Sequence, residues 1–496
     1  MSGGSVGKWV RDWHKLIETG ERVVTFKKIA LLACIVGVLS LFVFQVEMPR
    51  IEQERMEKVF LGGLKPEELK KIEIQRASGG FTLLNSKVVP LEKVSKIEKS
   101  PFDGQSVKSE WYLEGKPDAM LDVGSVDGLL NALTDLELGD AIPKEDIEGD
   151  WGVYGLIEPE VTVIASWKDK TATVDLGKKS EYLGDRYARV RDTGDLYLIP
   201  DTLYFASNKG TNDIRDKTPI DINVDDVNKL VLDVNRKDSA GATTVTSQVR
   251  IVKNDGVWIL ESSQSARADE AAISELTRKL RSLEVLNFHD EGISHTDNYD
   301  LETPDVKLSF TGEAEPFSVG ISSSKDGNTF FNIPAQGKTV YEVGGSKVGD
   351  FLIGESQLID RSVFTFNSIE VEKAEFDLNG NSLLLQSFGE GEKTWQVDGK
   401  PGEPAIIGGF LDNISNLQVE GLADQDAQVD FKPILTFKVY EKGGEAIVFE
   451  IGDSKSQSDG GFHLLKRIGW QGMYKISEDT YSSLVPKKEA FAKIDG

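Results

Sequence analysis

A single cysteine, Cys34, occurs in this chain of 496 residues, so no disulfide bond can brace the rest of it. Basic side chains are outnumbered: 57 lysines and arginines stand against 82 aspartates and glutamates, giving a net charge of −25. Such an acidic protein repels phosphate backbones, which argues against nucleic-acid binding. No His-Glu-x-x-His pair occurs, and the phosphate-loop-like segment Gly349–Gly354 is followed by Glu355 where a lysine is required. We therefore expect neither an enzyme nor a resident cofactor.

One apolar segment, residues 29–46, contains no charged side chain before Glu47. At 1.5 Å per residue it would be about 27 Å long as a helix, close to the hydrocarbon thickness of a bilayer. This length predicts a single transmembrane helix. Lysine and arginine are in excess before the segment, so we expect a cytoplasmic N-terminus. The bulk of the chain would then lie outside the cytoplasm, on the periplasmic side of a bacterial inner membrane.

Two alternatives for the apolar segment stay open. A cleaved signal peptide is one, although the segment exceeds the usual signal-peptide core and ends without a small-residue cleavage site. Lipidation at Cys34 is the other, because Leu31–Cys34 looks like a bacterial lipobox. The preceding residues 1–28 combine tryptophans and basic side chains at helical spacing, which is typical of an amphipathic helix on a membrane surface. A docking segment for a partner is the alternative for that stretch.

The remainder of the chain repeats itself. Asp216–Asn223 and Asp360–Asn367 agree in residue class at nearly every position, and other landmarks recur in the same order. Each repeat has a tryptophan in a β-like stretch, a helical segment, a strand that ends in an apolar residue and glycine, and a tyrosine in the last strand. These landmarks are Trp111, Trp258 and Trp395; Gly177, Gly320 and Gly452; and Tyr197, Tyr341 and Tyr474.

Each repeat predicts two strands, a helix, four strands in hairpin succession and a short helix. Turns such as Asn379-Gly380 favour antiparallel pairing. The expected fold class is α+β: a transmembrane helix followed by three tandem repeats, each a mostly antiparallel sheet with helices on one face. We expect a semi-rigid rod, because the junctions are short. The predicted segments are 1–28 (cytoplasmic), 29–46 (transmembrane), 47–63 (stalk), and repeat domains 64–224, 225–367 and 368–496, the last divergent. The predicted longer helices are 126–138, 270–286 and 406–419.

A family resemblance follows from the first repeat. Tyr-Gly-Leu-Ile-Glu-Pro at Tyr154–Pro159, Leu176-Gly177, Tyr-Ala-Arg-Val at Tyr187–Val190 and Tyr-Leu-Ile-Pro at Tyr197–Pro200 occur in this order. In this pattern the chain resembles the domain of unknown function 4340 family. The resemblance implies a single-span bacterial envelope protein, often encoded beside an ABC transporter of the gliding-motility type. The family carries no established catalytic residues.

The strongest candidate site is the segment His289–Asp297. His289, His295 and Asp297 could together hold a divalent metal. The corresponding stretch of the first repeat has carboxylates and no histidine, so a polar solvated loop is the favoured interpretation and no metal site is predicted. The three repeated tryptophans could stack on carbohydrate, but their recurrence at one place favours core packing.

The leading hypothesis is a non-enzymatic, membrane-anchored extracytoplasmic scaffold or accessory subunit. It would hold an envelope protein partner, and the resemblance implies a complex associated with an ABC transporter. The alternative is a periplasmic module that binds a glycan, peptide or lipid in grooves between repeats. A metal hydrolase using His289 and His295 is a third hypothesis.

Overall fold

The computed structural model describes residues 31, 33, 35–48, 50, 53, 55, 58–87, 110–147, 150–181, 184–237, 243–261, 265–290, 301–312, 316–324, 326–389, 393–423, 431–455 and 461–492. The predicted cytoplasmic segment 1–28, Cys34 and part of the predicted transmembrane segment lie outside these residues. Residues 35–42 are helical and continue into a π-helix, Val43–Glu47. Within the described ranges, no helix is both long and apolar enough to cross a membrane.

The chain divides into two compact units, one ending at Asp216 and one running from Lys217 to Gly496. The first unit contains one sheet of seven strands in the order β3-β2-β1-β4-β5-β6-β7, and every neighbouring pair is antiparallel. Its elements are β1 Lys71–Gln75, β2 Phe81–Asn85, β3 Trp111–Leu113, α1 Val123–Thr134, β4 Val161–Trp167, β5 Lys170–Lys179, β6 Arg186–Val190, β7 Asp195–Ile199 and α2 Thr202–Ser207.

The second unit contains two sheets of nine strands, which are also antiparallel throughout the described part. The second repeat comprises β8 Val227–Lys237, β9 Thr243–Asn254, β10 Val257–Leu260, β11 Ala266–Arg267, α3 Glu270–Arg281, β12 Val285–His289, β13 Val306–Gly312, β14 Phe317–Ser323, β15 Thr329–Asn332 and β16 Val340–Val343. The third comprises β17 Val371–Leu378, β18 Asn381–Phe388, β19 Thr394–Val397, β20 Lys400–Gly402, α4 Pro404–Ser415, β21 Gly421–Leu422, β22 Pro433–Glu441, β23 Ala446–Lys455, β24 Phe462–Arg467, β25 Tyr474–Ser477 and α5 Glu478–Leu484.

The three sheets share one strand order, which confirms the tandem repeats. The seven strands of the first sheet correspond to the central seven of the other two, in which one short strand is added at each edge. The tryptophan stretch forms a third strand before the helix in every repeat, one more than the sequence pattern predicted. Asn379 and Gly380 both have positive φ in the β17–β18 hairpin, as expected for a tight turn of this type.

Each repeat buries its longer helix against the sheet. Val126, Leu129, Leu130 and Leu133 of α1 pack with the inward side chains of β1 and β4 in a single core. The repeated tryptophans are buried in the corresponding cores, which confirms their predicted packing role; they are Trp111, Trp258 and Trp395.

The predicted helices run too far at their C-terminal ends. The residues after α1 lead into an isolated bridge, Val59↔Glu137, and Leu286 belongs to β12. Apolar residues keep a helical spacing beyond the ends of these helices. The spacing alone does not distinguish such extended segments from helix. Phe60 N–H donates to Leu136 O, and Leu61 is buried in the first core, so the end of the predicted stalk packs with the first repeat.

A continuous hydrophobic core spans both sheets of the second unit. It extends from Ile220 to Phe491 and includes the segment 358–366 that joins the two repeats. Val363 and Phe364 of this segment are fully buried, and the Phe364 ring lies 5.6 Å from that of Phe449 in the third sheet. The joining segment is therefore a core element.

Candidate functional site

The predicted metal candidates are only partly described. His289 is the last residue of the edge strand β12, and its Nε2 lies 3.0 Å from Oε2 of Glu342 on β16. The same carboxylate accepts hydrogen bonds from the side-chain amides of Asn287 and Asn328. Burial raises the pKa of Glu342, but hydrogen bonds from His289 and Asn287 outweigh burial and lower it. His295 and Asp297 lie outside the described residues. Among the residues that are described, no group of three histidine, cysteine or acidic side chains could hold a metal.

The two most recognisable sequence motifs of the first repeat touch each other. Gly155 adopts φ +71° at the turn of the Tyr-Gly-Leu motif, and this turn lies on the end of the Leu176-Gly177 strand. A Cβ on Gly177 would overlap the carbonyl oxygen of Tyr154. Glycine is therefore required at this crossing because the two backbones approach too closely for a side chain.

The equivalent glycines in the other repeats meet softer neighbours. A Cβ on Gly452 would lie 2.9 Å from Cε2 of Phe431, and one on Gly320 would lie 2.8 Å from Oδ1 of Asn332. In both, a side-chain atom is the nearest obstacle. The crossing is common to all three repeats, but it is tightest in the first.

A buried arginine ties the short helix of the first repeat to the sheet. Arg186 Nε donates to Oδ1 of Asp201 at 2.8 Å, and its Nη1 donates to the carbonyl of Gly177. The guanidinium carbon lies 3.4 Å from the ring centroid of Tyr204 on α2. We call Gly177, Arg186, Asp201 and Tyr204 the helix-anchoring cluster of the first repeat. Burial raises the pKa of Asp201, but hydrogen bonds from Lys179 and Arg186 outweigh it, so this pKa lies below its usual value.

The third repeat builds the same cluster with a histidine. His463 Nδ1 lies 3.0 Å from the carbonyl of Gly452, and Nε2 lies 2.9 Å from Oε2 of Glu478. The imidazole stacks on Tyr481 of α5 with ring centroids 3.9 Å apart. Gly452, His463, Glu478 and Tyr481 are the helix-anchoring cluster of the third repeat. Burial, Glu478 and Asp453 raise the pKa of Tyr481.

Strand pairing shows that these positions correspond. Arg186 and His463 each lie two residues before the strand position that pairs with the repeated tyrosine, Ala188 with Tyr197 and Leu465 with Tyr474. By the same rule the second repeat places Thr329 there, since Phe331 pairs with Tyr341.

Thr329 makes uncharged contacts with the backbone that follows β16. Its hydroxyl donates to the carbonyl of Gly345 at 2.9 Å and accepts from the N–H of Lys347 at 2.7 Å. The second repeat therefore satisfies the strand end with a neutral side chain.

A second charged cluster lies on the opposite face of the first sheet. Asp175 on β5 is fully buried and accepts hydrogen bonds from Thr162 on β4 (2.7 Å), from Arg189 on β6 (2.7 Å) and from Arg191 (2.7 Å). Burial alone raises the pKa of Asp175, but the hydrogen bonds from Arg191, Arg189 and Thr162 outweigh it and hold the pKa below its usual value. The Arg189 guanidinium also lies 5.0 Å from the ring centroid of Trp151.

Two arginines and a tryptophan form the polar joint of the second unit. Arg467 Nη1 donates to the carbonyls of Val363 (2.7 Å) and Thr365 (3.0 Å) in the joining segment. The Trp470 ring lies 4.3 Å from the Arg467 guanidinium and 4.6 Å from that of Arg267, which belongs to the second repeat. Burial, followed by repulsion from Arg267, lowers the pKa of Arg467. The third repeat thus holds both the joining segment and the second repeat.

The fold and these clusters define a class of protein built from tandem antiparallel α+β repeats. The family model described as Domain of unknown function (DUF4340) matches the chain twice, at residues 111–289 and 258–435. These matches cover more than half of the chain, and the chain belongs to this family. Each match begins at the buried tryptophan of a repeat and continues into the following sheet. Searches of the curated proteins and of the solved structures returned no match.

Proposed function

We propose that this protein is a non-enzymatic, membrane-anchored extracytoplasmic scaffold, an accessory subunit that holds an envelope protein partner. Segment 29–46 crosses the inner membrane of a bacterium with the N-terminus in the cytoplasm, and the repeats extend on the other side. The family resemblance suggests a partner associated with an ABC transporter.

The observation that carries the proposal is the continuous core of the second unit. Segment 358–366 is hydrogen-bonded to both repeats that it joins: Asp360 N–H donates to Arg267 O, and Val419 N–H donates to Arg361 O. Arg467 and Trp470 add charged and stacking contacts at the same place. A joint in which backbone, side chains and core are all engaged resists bending, which suits a spacer that fixes the distance between attachment points.

Exposed apolar side chains support the membrane attachment. The described helix near the N-terminus carries large apolar groups that are exposed to 46–66% of their surface, an unfavourable arrangement in water and a favourable one in lipid. These residues are Leu31, Ile35, Val36, Val38, Leu39, Leu41, Phe42 and Val43.

The alternative of a ligand-binding module depends on grooves between repeats. At the junction of the second and third repeats, the buried side chains of Val363 and Phe364 occupy the space between the sheets. This packing favours the scaffold over a groove at that junction.

Chemical crosslinking in native membranes tests the proposal. Full-length protein and a chain without residues 1–46 are crosslinked, purified in mild detergent at low salt, and read by mass spectrometry. We expect full-length protein to recover specific envelope proteins and to stay in the membrane fraction after a high-salt wash, whereas the truncated chain is released. If full-length protein is always recovered without a partner, the scaffold proposal is contradicted.

A further inference from the structure

The arginines of the first repeat exceed what its buried carboxylate requires. Asp175 precedes Leu176-Gly177, and the same position in the third repeat, before Ile451-Gly452, is Glu450. Glu450 pairs across the strands with Thr436 and Lys466, as Asp175 does with Thr162 and Arg189. The third sheet thus places one basic residue beside this acid on the neighbouring strand.

Arg191 is the additional cation. It lies three residues after Ala188, and the residue three after Leu465 in the third repeat is Ile468. Asp192 and Asp195 follow Arg191 in the turn and strand, but within the described residues neither forms an ion pair with Arg189 or Arg191. The three charged groups in contact, two arginines and one aspartate, therefore carry an excess of one positive charge.

Both arginines keep a donor for an outside acceptor. Each uses Nε and Nη2 on Asp175, and among the described contacts the Nη1 of neither is engaged. Arg191 is 47% exposed and Arg189 is 23% exposed. Since both guanidinium groups hold the same carboxylate, they are fixed side by side, which lowers the entropy lost when they bind a further acceptor.

Apolar surface adjoins the arginine pair. The segment that carries Trp151, on which Arg189 stacks, also exposes Val153 (46%) and Ile157 (62%). A ligand at this place meets two guanidinium donors, the Trp151 ring beside Arg189, and a segment that exposes apolar side chains. This combination fits a peptide that has a carboxylate next to an apolar side chain.

We propose that Arg189 and Arg191 bind an acidic side chain of an apolar peptide segment on the protein partner. The inference rests on the proposed scaffold function and assigns its contact surface to the first repeat. A single excess charge matches a monovalent carboxylate. A flat anionic membrane is the poorer fit, because the Arg189 side chain is only 23% exposed and a single protruding carboxylate reaches it more readily than a lipid surface does.

A labelled peptide tests this assignment on full-length protein in detergent. The probe is acetyl-(Glu-Leu)3-amide, and the matched peptide has glutamine in place of glutamate. We expect Arg191→Gln to weaken glutamate-peptide binding about tenfold, the loss expected for one charge-assisted hydrogen bond, and Arg191→Lys to weaken it less. Arg278→Gln, which removes an exposed arginine of α3, should leave binding unchanged.

Three outcomes would overturn the assignment: equal binding by wild type and Arg191→Gln, equal binding of the glutamine peptide, or Arg191-dependent binding to phosphatidylglycerol vesicles in place of the peptide. Thermal unfolding of each variant checks the fold, and Arg191→Lys carries the test if Arg191→Gln unfolds. Crosslinking of Arg191→Gln in membranes separates the two proposals. A partner recovered as well as by wild type leaves the scaffold standing and removes this surface, whereas no partner with either protein removes the scaffold.

Discussion

The first and third repeats anchor their short helices with the same geometry and different side chains. Arg186 and His463 occupy equivalent strand positions, contact the carbonyl of an equivalent glycine, pair with an acid at the start of the helix and stack on a tyrosine. The chain thus conserves contacts at this point while the residue type changes. Where a short helix packs there, as in these two repeats, a flat side chain lies between the strand end and the helix.

The two clusters differ in how deeply the acid is buried. The side chain of Asp201 is 12% exposed, whereas that of Glu478 is 63% exposed. A buried carboxylate loses its hydration and depends on its partner, but an exposed one keeps water when the partner is removed. The first repeat should therefore depend on Arg186 far more than the third depends on His463.

The second repeat shows that charge is dispensable at this position. Thr329 satisfies the strand end through one hydroxyl, and no acid is needed because no cation is buried. The paired acids of the first and third repeats therefore accompany the helices α2 and α5, whose place is taken by the 3-10 helix Val348–Phe351 in the second repeat.

Removing the buried arginine should have the largest effect. We expect Arg186→Ala to destabilise α2 and its strand contacts by about 4 kcal/mol, because it leaves Asp201 buried with only Lys179 as partner and removes the packing on Tyr204. Native-state hydrogen exchange of α2 amides in the full-length protein measures this. Arg278→Ala, an exposed ion-pair variant, should leave the exchange of the α2 amides unchanged. If Arg186→Ala destabilises α2 no more than His463→Ala destabilises α5, the first repeat does not depend more strongly on its buried side chain.

Adding one methyl group at each crossing glycine should destabilise the three repeats to different extents. Gly177→Ala should destabilise the first repeat by about 3 kcal/mol, since a backbone carbonyl must move. Gly452→Ala should cost about 2 kcal/mol, because the Phe431 ring can shift. Gly320→Ala should cost about 1 kcal/mol, because the Asn332 side chain can rotate and the next obstacle, Cγ of Pro304, lies 3.2 Å from the added Cβ. Urea unfolding of the three variants gives the order. A reversed order would show that the distance to the nearest atom does not determine how much each crossing is destabilised.

The landmarks that recur in sequence predicted the repeated sheets, because each is a packing requirement. The buried tryptophans fill the core between sheet and helix, and the strand-end glycines admit a crossing segment. Such requirements leave the same residue type in every repeat. The order of the landmarks therefore predicted the order of the strands, even where single motifs were weak.

The helix-anchoring clusters escaped prediction because their members change type. Arginine, histidine and threonine share no pattern, and only the folded structure brings the His463 ring to Gly452 and Glu478. Of the arginines Arg186, Arg189 and Arg191, only Arg189 belongs to the Tyr-Ala-Arg-Val motif. Only the alternation of side chains along β6 separates Arg186, on the helix side, from Arg189 on the other face. A register argument on that strand would have found them.

Removing the histidine should have a smaller effect than removing the arginine. We expect His463→Ala to destabilise α5 by about 2 kcal/mol, from the loss of a buried ring and its contacts, while Glu478 stays hydrated. Hydrogen exchange of α5 amides measures this, with Glu478→Gln as a variant that keeps the ring. Glu478→Gln should change α5 by less than about 1 kcal/mol. A larger loss in Glu478→Gln than in His463→Ala would place the stabilisation in the ion pair.

The smallest expected effect concerns acid. The pKa of Asp201 is lowered in the folded protein, so its contribution is fully present above its unfolded value, about 3.9, and is lost as pH falls through the folded value. We expect Asp201→Asn to destabilise the first repeat by about 1 kcal/mol at pH 7 and equally at pH 5, because asparagine still accepts a hydrogen bond from Arg186. Below about pH 4 the difference from wild type should shrink, because wild-type Asp201 becomes protonated and loses its charge as well.

Urea unfolding at pH 7, 5 and 3 measures both proteins. The exposed Asp192→Asn serves as the control with no expected difference at any pH. A difference that grows on acidification would mean that the folded protein binds the Asp201 proton more tightly than the unfolded chain, which the hydrogen bonds from Lys179 and Arg186 oppose.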